Sequence, residues 1–242
     1  MPDFLGMTKP DDFREFLAVP RVVATVHRAE DLASLAARPV EPGWCDLLEY
    51  RLDNLRGHLE AALESMAASS VPVLITARHP AEGGAGDLAV ADRRDLLLRA
   101  LPFATLVDIE VRSLADLADV GEAAHQQGVG VVASYHDFER MPPLANLEAA
   151  LAGSLAGKAD VTKFALKVAS MSDLTPLALL TELVVADGHL MATMGMGPLG
   201  KVSRLLLAAA GSCLNYGYLH EPNAPGQWPA GELRRLVDEV IR

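Results

Sequence analysis

Short apolar runs of strand length alternate with longer amphipathic segments along nearly the whole chain. The runs fall at 22–27, 46–52, 73–77, 105–111, 129–135, 161–168, 190–194 and 213–219, each bounded by turn residues. Between and after them lie helical patterns at 29–37, 57–68, 89–101, 114–127, 144–155, 174–185, 200–210 and 230–241. Gly128 and Gly188 read as helix stops, and Ser172-Asp173 as a helix start. Eight strand–helix units in 242 residues predict an α/β chain folded as a single-domain (β/α)8 TIM barrel over 21–242. Residues 1–20 read as an N-terminal extension in which D-D-F-R-E-F-L forms a short helix. A doubly wound open sheet is the alternative, but no G-x-G-x-x-G follows the first strand.

Composition narrows the function. Half the residues are hydrophobic, enough for a large core, and the net charge of −11 argues against a nucleic-acid partner. An anionic small molecule must then be drawn in by a local arginine cluster. The two cysteines, Cys45 and Cys213, form no pairing motif and imply free thiols in a reducing, cytoplasmic setting. No signal peptide or membrane span is read, since charges interrupt every apolar run. The oligomeric state is not legible; a homodimer is one option. The seven histidines show neither H-E-x-x-H nor H-x-H spacing, and no Cys cluster occurs, so no metal site is expected.

Two strands carry residues that packing alone explains poorly. V-V-A-S-Y-H-D-F holds His136, and A-D-V-T-K-F-A-L-K holds Lys163, one βα unit later. Burying an ammonium costs several kcal/mol unless it is paired or neutralised. His136 alone fits a core imidazole as well as a functional one, and Lys163 alone could snorkel from a strand end. Together, on neighbouring inward positions, they match an amine nucleophile with a proton shuttle.

In a barrel the chemistry gathers at the carboxyl ends of the strands. Strand two places Glu49 and Arg51 on one face, with Leu48, Tyr50 and Leu52 on the other, which fits a salt bridge or a polyhydroxy ligand. Strand three runs into Arg78 and a Gly-rich loop with Glu82. Met194 and Met196 share a face of strand seven, and the glycine-rich turn after them leads to Arg204, a candidate anion site. Asn223 and Gln227 sit in the Pro/Gly-punctuated loop after strand eight.

The set E-Y-R-L-D (49–53), T-A-R-H-P-A-E-G-G (76–84), S-Y-H-D-F (134–138), A-D-V-T-K (159–163), M-G-P-L-G-K-V-S-R (196–204) and N-A-P-G-Q (223–227) resembles type I 3-dehydroquinate dehydratase. The motifs occur in that family's order and at its spacing. The resemblance implies dehydration of 3-dehydroquinate to 3-dehydroshikimate in the shikimate pathway, with no cofactor. It assigns imine formation to Lys163, acid–base work to His136 and orientation of His136 to Glu82. Glu49, Arg51 and Arg78 match residues that hold substrate hydroxyls, Arg204 the carboxylate clamp, and Gln227, with Asn223, a closing loop. Asn223 stands where the family usually has serine. Lys167, on the same strand face, lies about 13 Å from Lys163, too far for direct pairing. A class I aldolase-like barrel and a non-catalytic binder of a shikimate-like metabolite are the competing functions.

Overall fold

The computed structural model describes residues 12–41 and 43–241. Residues 1–11 of the N-terminal extension lie outside the described residues. Eight parallel strands form one sheet: β1 (Arg21–Val26), β2 (Leu47–Arg51), β3 (Val73–Thr76), β4 (Leu106–Glu110), β5 (Gly130–Asp137), β6 (Val161–Lys167), β7 (Leu190–Met196) and β8 (Leu214–Tyr218). Each pairs with its chain neighbour, and β8 returns to pair with β1. Between β7 and β8 the wall is joined by the Cys213 N–H donating to Met191 O at 2.8 Å and by the Ser212 hydroxyl, which accepts from Thr193 N. The sheet is thus a nearly closed barrel.

Among the described residues, ten α-helices surround or cap it: α1 (Phe13–Phe16), α2 (Ala29–Ala37), α3 (Leu52–Leu55), α4 (Leu59–Ala67), α5 (Val90–Ala100), α6 (Ala118–Gln126), α7 (Leu144–Ala156), α8 (Met171–Ala186), α9 (Gly200–Ala209) and α10 (Ala230–Val240). The expected elements recur within a few residues. The clearest difference is α8, which starts three residues before 174. Its N-cap is Ser170, whose backbone N–H is taken by Asp173 Oδ2 at 3.0 Å, so Asp173 closes a capping box from inside the helix. Pro176 consequently lies within α8, where it withholds one backbone donor. Helix α6 starts four residues after 114 because 111–113 form a separate 3-10 turn.

The floor of the barrel is apolar. Val23, Leu47, Leu74, Leu106, Val132, Val161, Ala192 and Leu214 form an inner cluster with Leu17, against which Phe13 and Phe16 pack. The short helix α1 therefore delivers a plug: Leu17 is fully buried, a placement worth roughly 1.5–3 kcal/mol. Asp12 caps α1 by accepting from Arg14 N.

Above this layer the inward positions turn polar. Two residues past the floor come Thr25, Glu49, Thr76, Asp108, Ser134 and Lys163 on β1 to β6, and Met194 and Tyr216 on β7 and β8, all buried. The register sets Thr25 beside Glu49, and Ser134 beside Lys163. One further step along the alternation reaches Arg51, Arg78, Glu110 and His136. Among the described residues, no helix is long and apolar enough to cross a membrane.

Candidate active site

All nine residues singled out from the sequence line one cavity of about 140 Å³ at the carboxyl ends of the strands: Glu49, Arg51, Arg78, Glu82, His136, Lys163, Arg204, Asn223 and Gln227. Met194 and Met196 line it too, so the strand-seven methionines serve both core and cavity. A larger hollow of about 420 Å³ lies between α2 and α4, outside the barrel, and is walled mainly by apolar side chains. Its few ionisable groups make it a poor place for acid–base chemistry.

Lys163 sits in mid-strand on β6 and is 3% exposed. Its Nζ donates to Asp108 Oδ2 at 2.8 Å and lies 4.3 Å from the centroid of the Tyr216 ring. Asp108 is shared, because its Oδ1 accepts from Arg78 Nη1 at 2.7 Å and from the Ser134 hydroxyl at 2.5 Å. Burial opposes the Asp108 charge, but Arg78 and Lys163 outweigh it and hold the carboxyl far below its usual range. Arg78 Nη1 also reaches Glu110 Oε1 at 2.9 Å, and Glu110 pairs through its other oxygen with the fully buried Arg93. Burial works against the Arg78 cation too, yet Asp108 and Glu110 keep its pKa well above the ordinary value.

His136 is the penultimate residue of β5 and pairs with Ala165 of β6. Glu82 closes a short 3-10 turn at 80–82, and the left-handed Gly83 that follows lets the loop fold back over the mouth. Its Oε2 accepts from the His136 backbone N–H at 3.0 Å and faces His136 Nδ1 at 2.9 Å. Burial pushes the Glu82 carboxyl up to about 7, against the pull of Arg78. Burial, then Arg78 and Lys163, drive the His136 pKa well below 6.5, so the imidazole is neutral. In the tautomer that donates Nδ1–H to Glu82, Nε2 is the free base. Phe138 stacks on the His136 ring, centroids 6.3 Å apart, and crowds Gly83.

The polar residues around this pair divide by partner. Glu49 and Arg51 do not pair with each other. Glu49 accepts from Thr76 at 2.8 Å and from Thr25 at 3.2 Å, whereas Arg51 forks onto Asp53 at 2.8 and 3.0 Å. Arg204 is 1% exposed, with Nε and Nη1 donating to the carbonyls of Tyr216, Gly195, Gly200 and Gly226. No carboxylate pairs with it among the described residues, and burial alone lowers its pKa to about 10. A buried guanidinium without a counter-charge on the cavity wall is a ready partner for an anion. Gln227 Oε1 accepts from the backbone N–H groups of Asn223 and Ala224, which closes the last loop on itself, and the Gly197 N–H donating to Pro225 O at 3.4 Å ties that loop to the turn after β7. Lys167 ends β6 and is exposed, away from the cavity wall.

Sequence reasoning passed over Asp108, Glu110, Ser134 and Tyr216. The signal was present: L-V-D-I-E repeats the spacing of the strand-two L-L-E-Y-R, an apolar floor residue followed by inward polar residues at every second place.

Fold and site define a (β/α)8 barrel that centres a buried lysine and a neutral imidazole on one small-molecule cavity. The type I 3-dehydroquinase family model matches residues 18–240. A 3-dehydroquinate dehydratase from Methanosarcina acetivorans is 35% identical over 205 residues, spanning 80% of this chain and 84% of that protein. Another from Lactiplantibacillus plantarum is 32% identical over 253 residues, spanning 98% and 94%. The crystal structure of 3-dehydroquinate dehydratase from Geobacillus kaustophilus superposes with a TM-score of 0.80 at 27% identity, over 92% of this chain and 93% of that one. The chain belongs to the type I 3-dehydroquinase family.

Proposed function

We propose that this chain is a hydro-lyase that converts 3-dehydroquinate to 3-dehydroshikimate through an imine on Lys163. The observation that carries the residue assignment is the placement of Lys163 Nζ and the Glu82-tethered His136 on one buried cavity. The Lys163 ammonium gives one proton to His136 and adds to the substrate ketone as the free amine. A second amine proton passes to the carbonyl oxygen, His136 returns the first, and that oxygen leaves as water, so the protonated imine carries the positive charge. That cation is an electron sink, so the neighbouring C–H becomes acidic enough for imidazole. His136 takes this proton and returns one to the departing hydroxyl as the double bond forms. Water then releases the product and the free lysine.

Asp108 supports the sequence as a fixed anion beside the nitrogen: its low basicity lets it hold charge without taking the proton. Glu82 fixes the His136 tautomer through Nδ1. Arg204 takes the substrate carboxylate, and the Asn223–Gln227 loop closes beside it, docked through the Gly226 carbonyl. Glu49, Arg51 and Arg78 face the substrate hydroxyls. The buried thiols of Cys45 and Cys213 support a cytoplasmic setting, and the net charge of −11 a partner other than nucleic acid. Exposed Leu179, Leu183, Val202 and Leu206 on α8 and α9 support a homodimer. Mixing purified protein with 3-dehydroquinate in the presence of a chelator tests the activity. The enone absorbance of 3-dehydroshikimate rises if the reading holds; bound substrate with no new absorbance overturns it.

A further inference from the structure

Tyr216 is the wall of the cavity that neither the motifs nor the residue roles above account for. It points inward from β8, is 4% exposed, and sets its ring face 4.3 Å from Lys163 Nζ. Of the cation–aromatic contacts among the described residues, this is the one with both partners buried. Its hydroxyl is also buried, and meets no hydrogen-bond partner among the described residues. Asp108 from β4 bonds the same nitrogen, and Glu49 and Arg51 from β2, Arg78 and Glu82 beyond β3, His136 from β5 and Arg204 from α9 line the cavity it shares, while β7 offers the uncharged Ala192 and Met194.

An ammonium and a protonated imine make different demands on these neighbours. The ammonium has three N–H donors, whereas the imine nitrogen has one and carries a flatter, more diffuse charge. Asp108 can take the single N–H. The remaining charge has no donor left to offer and suits the negative face of an aromatic ring. An imine that loses its proton is no longer an electron sink, so whatever holds the proton on nitrogen sustains the chemistry.

We propose that the Tyr216 ring, together with Asp108, keeps the Lys163 imine protonated while the adjacent carbon gives up its proton. The ring does this by facing the cation; no proton or bond changes at Tyr216. A desolvated contact of this kind is worth about a 30-fold change in the protonation equilibrium, or roughly 1.5 pH units. The proposal rests on Lys163 being the imine nitrogen.

The test compares Tyr216→Phe with Tyr216→Leu, adding Tyr216→Met as a closer match in volume if the leucine variant does not fold. For each, kcat is followed against pH with 3-dehydroquinate, and the borohydride-reduced adduct is located by mass. The alkaline limb of kcat moves down by about 1.5 units in the leucine or methionine variant, and the phenylalanine variant, which keeps the ring, restores it. A phenylalanine limb displaced as far as the leucine one places the effect on the hydroxyl and overturns the proposal. An adduct on Lys163 with the limb unmoved in every variant overturns the role of Tyr216 alone. No adduct on Lys163 in the wild type overturns the imine reading and this proposal with it.

Discussion

Replacing Asp108 by asparagine removes one charge from the centre of the barrel and almost no volume. Asp108 is fully buried and accepts from Arg78, Ser134 and Lys163 at 2.7, 2.5 and 2.8 Å. Breaking a buried ion pair by deleting one partner costs about 3–5 kcal/mol. Arg78 keeps Glu110 at 2.9 Å, so the loss falls mainly on Lys163 and the lower figure applies. At roughly 2–4 °C per kcal/mol for a chain of this size, Asp108→Asn melts about 6–12 °C below wild type at pH 7. Adding Lys163→Met removes the orphaned cation, and the double variant recovers on the order of 2 kcal/mol.

The sign with pH is fixed by the direction of the shift. The folded Asp108 pKa lies below its unfolded value, so its stabilisation is full above the unfolded carboxylate pKa, about 3.9, and fades as the pH falls below it. The gap between wild type and Asp108→Asn therefore narrows below about pH 4. Circular-dichroism melts at one scan rate, across a pH series, measure both effects. Equal melting temperatures at pH 7, or a gap that widens in acid, would refute the ionic hub.

His136→Ala removes the proton shuttle and leaves the amine, so turnover falls by about 10²–10⁴-fold while borohydride still traps substrate; wild-type turnover makes His136 structural. Gly226 has φ +78°, and an added Cβ meets Gly197 O and the Gly200 Cα at 2.7 Å. Gly226→Ala therefore lifts the last loop off Arg204 and raises KM severalfold more than it lowers kcat, and an unchanged KM counts against loop docking. Burial pushes both cysteine thiols up to about 12, so a thiol reagent at pH 8 labels neither until the chain unfolds; fast labelling of folded protein contradicts the core assignment.

The barrel was legible because period-2 apolar runs and period-3.6 segments alternate without a break, and neither pattern depends on distant contacts. Lys163 and His136 stood out because a charged or titratable group in a buried strand has few structural explanations. Asp108 and Glu110 carry the same kind of signal in β4 but were passed over, since none of the recognised motifs falls in that strand. Their meaning depends on the β3–β4–β5–β6 register, which brings Arg78, Ser134 and Lys163 to them. Tyr216 was hidden by phase: L-N-Y-G-Y carries polar or aromatic groups on both faces, and only pairing with Val23 shows that Tyr216 lies on the inward row. Arg204 was found, but its four backbone carbonyl acceptors, drawn from three separate segments, follow from the fold alone.

The central claim is that Lys163 bonds covalently to substrate, and peptide mass mapping tests it most directly. The protein is treated with 3-dehydroquinate and borohydride, digested, and the modified lysine is located by fragmentation. The account predicts a reduced adduct on Lys163, absent from Lys163→Ala and retained in His136→Ala. An adduct on Lys167, or turnover with no lysine adduct at all, would contradict it.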